Sequence, residues 1–395
     1  MKRSPLILIS SILVIIGLVF IAIASLSEAN STTGDQFFFV KKQSIWLILG
    51  IITFFIFSKV KISLVKKISF PIYLLSIFTL ILVLIPKFGN SALGARRWLD
   101  LGILGIQPSE LLKFSSIIYF SYLFSLIKKV NIKSLIIYLG LPFVLIVAEP
   151  NLSTAILVSA IVITIYYLAA GDILPLFTLC SIAAVLCLIL IFTSDYRLTR
   201  FKTFLDPKRD SSSSSYHRNQ IILTLASGGL FGKGFANSDQ KYKFLPKIST
   251  DSILAVIGEE TGFIGLSVIL YLYLYLIFYL FKLSQQLSDK FESLFVSSIA
   301  CWIAYQSLFN ISALVGLIPL TGVPLPFISY GGSSLLTLLA SLGIVKNIEN
   351  KSLSLIYSSS HKSNEKQNNQ NHRSNRIPSH TGNRTDSSAN KRSSL

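Results

Sequence analysis

Charge is what this 395-residue sequence has least of. Asp, Glu, Lys and Arg make up 14% of it, against roughly 25% in soluble domains. Cysteine is also scarce: Cys180, Cys187 and Cys301 all lie inside apolar runs, which excludes an exposed disulfide framework and a cysteine metal cluster. Four scattered histidines, three of them in the carboxyl-terminal tail, supply no metal site. The Lys-Ser/Thr pair of a phosphate-binding P-loop is missing after Gly232-Lys233-Gly234. No Ala-x-Ala cleavage site follows the first apolar run, which argues against a signal peptide. The net charge of +18 sits between apolar blocks and in the tail, without a face of interleaved aromatics, and so argues against a nucleic-acid partner.

What the sequence does have is length of apolar run. Hydrophobic residues are 52% of the chain and come in blocks of the ~20 residues that cross ~30 Å of hydrocarbon. Ten such runs lie at about 6–26, 44–57, 70–85, 111–127, 135–147, 152–169, 173–193, 252–281, 294–318 and 328–345. The lysines at 59, 61, 66, 67, 128, 129 and 133, with Lys2 and Arg3, place the amino terminus and the second and fourth loops in the cytoplasm. The expectation is an all-α integral membrane protein of ten transmembrane helices over 1–348, with both termini cytoplasmic. A large extracytoplasmic loop, 195–251, separates helices 7 and 8. Residues 349–395, rich in Ser, Asn, Gln, Lys and Arg, read as a disordered basic cytoplasmic tail.

The charges organise the chain around 197–265, because there a basic, glycine-broken loop meets an apolar helix at one acid, Asp251. The loop carries ten Lys and Arg against five Asp, a balance suited to an anionic ligand such as a phosphate; a solvated loop beside lipid headgroups is the plainer alternative. Arg197 and Arg200, three apart, are spaced to grip a diphosphate together. Further upstream, Arg97-Trp98 leads to Gln107-Pro108-Ser109-Glu110 and Lys113. Pro108 suits a helix's first turn, and Glu110 and Lys113 at i and i+3 are spaced to pair, facing a wet cavity or snorkelling to the interface. Gly322-Val323-Pro324-Leu325-Pro326-Phe327-Ile328-Ser329-Tyr330-Gly331-Gly332 is an uncharged, broken segment between two spans. Such backbone is tolerated where protein buries it or a cavity wets it, and a tight structural hairpin would also satisfy the pattern.

These strings, in this order from about Gly94 to Gly343, resemble the SEDS family (shape, elongation, division and sporulation), and look more like FtsW than RodA at 237–241. The resemblance implies polymerisation of lipid II into peptidoglycan at the outer face of the bacterial plasma membrane, at the division septum. It makes Asp251 the essential loop aspartate. It makes Arg97, Trp98, Gln107, Glu110, Lys113, Arg197, Arg200 and Lys243 candidates for substrate binding. A class B penicillin-binding protein (a transpeptidase) and other membrane proteins of the division complex are the implied partners. Two motifs depart from the family: Glu149-Pro150-Asn151-Leu152-Ser153-Thr154 stands for Gln-Pro-Asp-Leu-Gly-Thr, and Ser249-Thr250-Asp251 lacks the common His.

The chemistry agrees with the resemblance. Glycosyl transfer needs a base for the acceptor hydroxyl and positive charge for a departing diphosphate. One base suffices for a single inverting displacement. A divalent cation, Mg²⁺ or Mn²⁺, bridging Asp251 and the diphosphate is compatible with this, although no dedicated cage is visible. Two other classes remain open: a transporter moving the lipid-linked precursor, and a non-catalytic scaffold that activates a transpeptidase.

Overall fold

The structure, a computed structural model, describes residues 4–86, 88–92, 95–100, 105–127, 132–171, 173–206, 213–235, 237 and 250–374. The chain divides into two units, Met1–Glu349 and Asn350–Leu395. In chain order the elements are α1 (Pro5–Thr33), α2 (Phe38–Phe57), α3 (Ile62–Leu84), β1 (Gly89–Ala92), β2 (Ala95–Asp100), β3 (Gly105–Ile106), α4 (Pro108–Leu126), α5 (Ile132–Ala148) and α6 (Leu152–Ala170). There follow α7 (Ile173–Phe192), α8 (Asp195–Leu205), α9 (Ser213–Ser227), α10 (Ile253–Gln285), α11 (Lys290–Leu314) and α12 (Gly332–Ser374).

Each of the ten apolar runs lies largely on a helix, with 315–318 and 328–331 outside α11 and α12. Among the described residues six helices are long and apolar enough to cross a membrane: Pro5–Ser25 within α1, and α2, α3, α6, α10 and α11. A seventh is added if Leu176–Phe192 and Arg197–Leu205, bent by 100°, count as one span. Local chemistry sets the helix ends. Pro108 opens α4 at its first turn, where a missing N–H costs nothing. Asp289 caps α11 by accepting from the Glu292 N–H at 3.1 Å. Asn151 caps α6 in the same way through Thr154, and Gly171 closes it in the left-handed conformation.

The fold is mostly helical, as expected, with one addition the sequence did not suggest: β1, β2 and β3 form an antiparallel sheet in that order, with a bulge at Asn90/Ser91. The stretch between α3 and α4 carries Pro86, Gly89, Gly94, Gly102 and Gly105, which disfavour helix, and its strands satisfy their backbone by pairing with one another. In the second unit, α12 continues as helix to Ser374, and the rest of the expected disordered tail, 375–395, lies outside the described residues. A helix satisfies its own backbone without burying apolar surface.

The core lies where α4, α6, α10 and α11 meet, with α1 against α10 and α3 against α4. Apolar side chains fill most of it, but α4 and α11 bring a strip of small and polar groups inward. Ser115 meets Ser76 of α3 at 2.7 Å, and Ser121 meets Ser298 at 3.5 Å. Small residues let membrane helices approach closely, and paired hydroxyls satisfy each other away from water.

The Gly228–Gly234 stretch does not stand free in the loop. It crosses α10 where Gly262, at φ 68°, breaks that helix. Backbone bonds stitch the two together: Lys233 N to Glu259 O (2.9 Å), Gly234 N to Glu260 O (3.0 Å) and Phe263 N to Gly229 O (2.9 Å). A β-carbon at Gly228 would fall 2.0 Å from the Gly258 carbonyl oxygen. Gly228→Ala should therefore lower thermal stability in detergent by ~1–3 kcal/mol, the cost of overpacking. Gly140→Ala on α5, where nothing lies within 4 Å of an added β-carbon, should be neutral or slightly stabilising. Equal melting of the two variants would show that the loop is not seated on α10.

Candidate active site

The site is built on a piece of chain that is not helical. Residues 321–331, between α11 and α12, are largely buried, so their peptide groups need partners from within the protein. Side chains from several helices supply them. Gln306 donates to the Pro324 carbonyl (2.8 Å), Asn310 to Val323 (2.8 Å) and Tyr273 to Pro326. Gln43 accepts from the Gly331 N–H (3.3 Å), and Ser329 closes the loop on itself through the Leu325 N–H (2.9 Å). Phe39 packs edge-on against Tyr330.

Asp251 sits immediately before α10, partly exposed, with its carboxylate against this loop. A β-carbon at Gly322 would lie 3.4 Å from Asp251 Oδ2. Asn310 also donates to the Asp251 carbonyl, at 3.4 Å, so one amide holds both the proline loop and the backbone bearing the acid. Arg200 reaches the same region, donating to the Leu320 carbonyl at 3.2 Å. A carboxylate and a guanidinium are thus brought to one short segment, 320–323.

Glu110 and Lys113 pair at 2.7 Å on α4, both side chains almost fully buried. Lys113 also donates to Gln306 Oε1 (3.0 Å) and lies 5.3 Å from the centroid of the Trp302 ring. Trp302 Nε1 donates to the same oxygen at 2.7 Å. The pair therefore joins the proline loop through Gln306, one turn of α11 from Asn310. Breaking such a pair costs more than the pair contributes, because the survivor is a buried, uncompensated charge.

The other residues singled out in the sequence fall in different places. Arg97 on β2 donates to the Glu149 carbonyl (3.1 Å) and to that of Pro150. Arg197 donates to the carbonyls of Leu190 (3.1 Å) and Val147 (3.4 Å). Both arginines thus cover the carboxyl end of α5, where helical carbonyls lack partners, and Arg197 and Arg200 reach different segments. Trp98 is half-buried on β2 beside Gly105. The Gln107 N–H bonds to Ser333 Oγ at the start of α12 (3.0 Å). Lys243 lies outside the described residues. Lys233, in the glycine loop, pairs with the buried Glu259 of α10 at 2.7 Å. Sequence reasoning overlooked Gln306 and Asn310, although two amides four residues apart within an apolar run were a legible signal.

Glu149 stands apart. It is fully buried between α5 and α6, and neither carboxylate oxygen has a hydrogen-bond partner among the described residues. Burial pushes its carboxyl up to about 8, with Arg97 pulling it partly back. An acid that holds its proton more tightly folded than unfolded gives stability that is complete below its unfolded value, near 4.5, and lost as pH rises through about 8. Glu149→Gln keeps the shape of the protonated form. It should raise the melting temperature over wild type at pH ~8.5 and scarcely change it at pH ~4.5. A gap of the same size at both pH values would refute the buried, proton-bearing carboxyl.

Among the described residues no three His, Cys, Asp or Glu side chains group to hold a metal ion. Any cation at Asp251 would draw its other ligands from substrate phosphate and water, as Mg²⁺ commonly does.

Known proteins are similar to this chain in sequence and fold. The chain is 34% identical over 346 residues to the "Probable peptidoglycan glycosyltransferase FtsW" of Buchnera aphidicola subsp. Baizongia pistaciae, covering 85% of this chain and 90% of that one. It is 34% identical over 357 residues to stage V sporulation protein E of Bacillus subtilis, covering 88% and 97%. Among solved structures, it superposes on a chain from a peptidoglycan synthase complex studied for its coordination of polymerization and crosslinking. The TM-score is 0.73 at 26% identity, over 88% of this chain and 97% of that one. It superposes likewise on the Thermus thermophilus rod shape determining protein RodA, with a TM-score of 0.63 at 26% identity over 87% and 95%. The model of the FtsW/RodA/SpoVE cell cycle proteins matches residues 3–353, and the chain belongs to that family.

Proposed function

We propose that the chain is a peptidoglycan glycosyltransferase that polymerises lipid II into β-1,4-linked glycan at the outer face of the plasma membrane, with Asp251 as general base. The observation that carries this reading is the convergence of the Asp251 carboxylate and Arg200 on residues 320–323, a segment held by Asn310 at Val323 and followed by Pro324, which Gln306 holds. Asp251 takes the proton of the acceptor hydroxyl, and the loop's cations steady the diphosphate that leaves with the lipid. Arg200, anchored to the Leu320 carbonyl, brings its positive charge to this segment. A bound Mg²⁺ or Mn²⁺, held by Asp251, would neutralise diphosphate charge. Names and titles of the relatives support the reaction class, and the carboxylate's position supports the base.

The finer claims belong to the same reading. Ten helices carry the ten apolar runs, which supports ten spans with both termini cytoplasmic and 195–251 outside. FtsW-named relatives support a place at the division septum. A structural neighbour drawn from a complex that coordinates polymerization with crosslinking supports a transpeptidase partner, a class B penicillin-binding protein, alongside other membrane proteins of the division complex.

Asp251→Asn tests the base. Asn is nearly isosteric but cannot take the proton, a loss commonly worth ~10²–10⁴-fold. Asp251→Glu keeps the charge but displaces it, and misplacement of ~1 Å can itself cost ~10²-fold. Purified enzyme given lipid II should yield no long glycan on a gel with Asn and little with Glu, with melting temperatures near wild type. Full-length product from a stable Asp251→Asn enzyme would overturn the assignment of Asp251 as the base and leave the reaction class standing.

A further inference from the structure

Gln306 and Asn310 share one face of α11, about 6 Å apart along its axis. Both are buried, and both are bound through side-chain amides to the chain around Asp251. Asn310 spends its amide donors on two carbonyls, Val323 and Asp251. Gln306 accepts from Lys113 and Trp302 through one oxygen and donates to Pro324 through its nitrogen. The Gln306 orientation is forced by its neighbours, because a reversed amide would point donors at an ammonium and an indole N–H. The two amides thus join three parts of the site: the backbone of the acid, the proline loop and the Glu110–Lys113 pair.

A second observation marks this strip as more than packing. Asn310 Oδ1, Ser307 Oγ, Ser252 Oγ and Glu110 Oε2 are buried, and none has a hydrogen-bond partner among the described residues. Ser307 and Asn310 lie three apart on α11, Ser252 follows Asp251, and Glu110 is the Lys113 partner. Buried polar atoms are nearly always satisfied, so a group of unsatisfied ones beside a candidate base has capacity left for water or substrate.

We propose that Gln306 and Asn310 are positioning residues for glycan polymerisation. Asn310 sets the backbone that carries Asp251, and Gln306 fixes the proline loop and Lys113 in register with it. The proposal rests on the reading of Asp251 as the base. Neither amide needs to touch substrate, since each acts through the groups it holds.

The experiment measures kcat, KM and the pH dependence of kcat/KM for lipid II polymerisation by the purified full-length protein, with thermal melting alongside. Asn310→Asp removes the amide donors and adds a negative charge near Asp251. It should lower kcat by about 100-fold and leave KM within about twofold. A neighbouring like charge disfavours ionisation, so the acid limb should move up by about one pH unit. Gln306→Glu keeps the acceptor for Lys113 and Trp302 but loses the donor to Pro324, and kcat should fall while KM holds. Asn310→Leu and Gln306→Met are neutral counterparts in case a buried charge prevents folding. They should lower kcat in the same way.

Folded variants with wild-type kcat and an unmoved pH limb would overturn the proposal. Loss of cooperative melting in both variants of one residue would overturn it too, since that residue would then be structural. Asp251→Asn in the same assay separates the two claims. If it stays active, the base reading fails. If it is inactive while the amide variants turn over normally, only the positioning role fails.

Discussion

Backbone that is not helical, buried inside a membrane protein, has to find every partner in the protein, and much of this structure follows from that requirement at 321–331. The carbonyls of Val323, Pro324 and Pro326 each accept a side-chain hydrogen bond, and a buried peptide group left without one costs several kcal/mol. The partners come from α2, α10 and α11 through Gln43, Tyr273, Gln306 and Asn310. Those helices are therefore tied to one segment, and that segment lies against Asp251. A chain arranged in this way places a carboxylate with little freedom to drift.

The arginines show the same economy. Arg97, Arg197, Arg200 and Arg218 each donate to backbone carbonyls near helix ends or loop turns: Glu149 and Pro150, Leu190 and Val147, Leu320, Phe204 and Gly316. The last carbonyls of a helix have no partner of their own, and guanidinium groups are well shaped to cover them. The positive charge of these arginines thus has a structural use before any ligand arrives.

How much of this was legible in the sequence depends on how local each feature is. The apolar runs located every long helix because length and composition act within one segment. Pro108, Asn151 and Asp289 mark helix starts for equally local reasons. Glu110 and Lys113 were paired correctly from their spacing alone. The sheet of β1 to β3 was missed because short polar strands are defined by their partners rather than by a pattern of their own. The seating of Gly228–Gly234 on α10 was missed because it depends on backbone contact between segments some thirty residues apart in sequence. Arg197 and Arg200 were noticed, but a carbonyl at a helix end carries no sequence signature, so their separate destinations were invisible.

The departure at 149–151 shows why a motif has to be read through the structure. Asn151, in place of the family's common Asp, still caps α6 through Thr154, a task that Asn and Asp perform about equally well. Glu149, in place of Gln, is different, because it puts an ionisable group where a neutral amide is usual. Its backbone carbonyl keeps the bond from Arg97, so the local geometry survives the exchange. What changes is the side chain, which is buried with both oxygens unpartnered and its affinity for a proton raised. In its protonated form it matches the shape and neutrality of Gln, so the site tolerates the acid by keeping it neutral. Position 151 is thus a conservative exchange, whereas position 149 adds a proton to the balance of the fold.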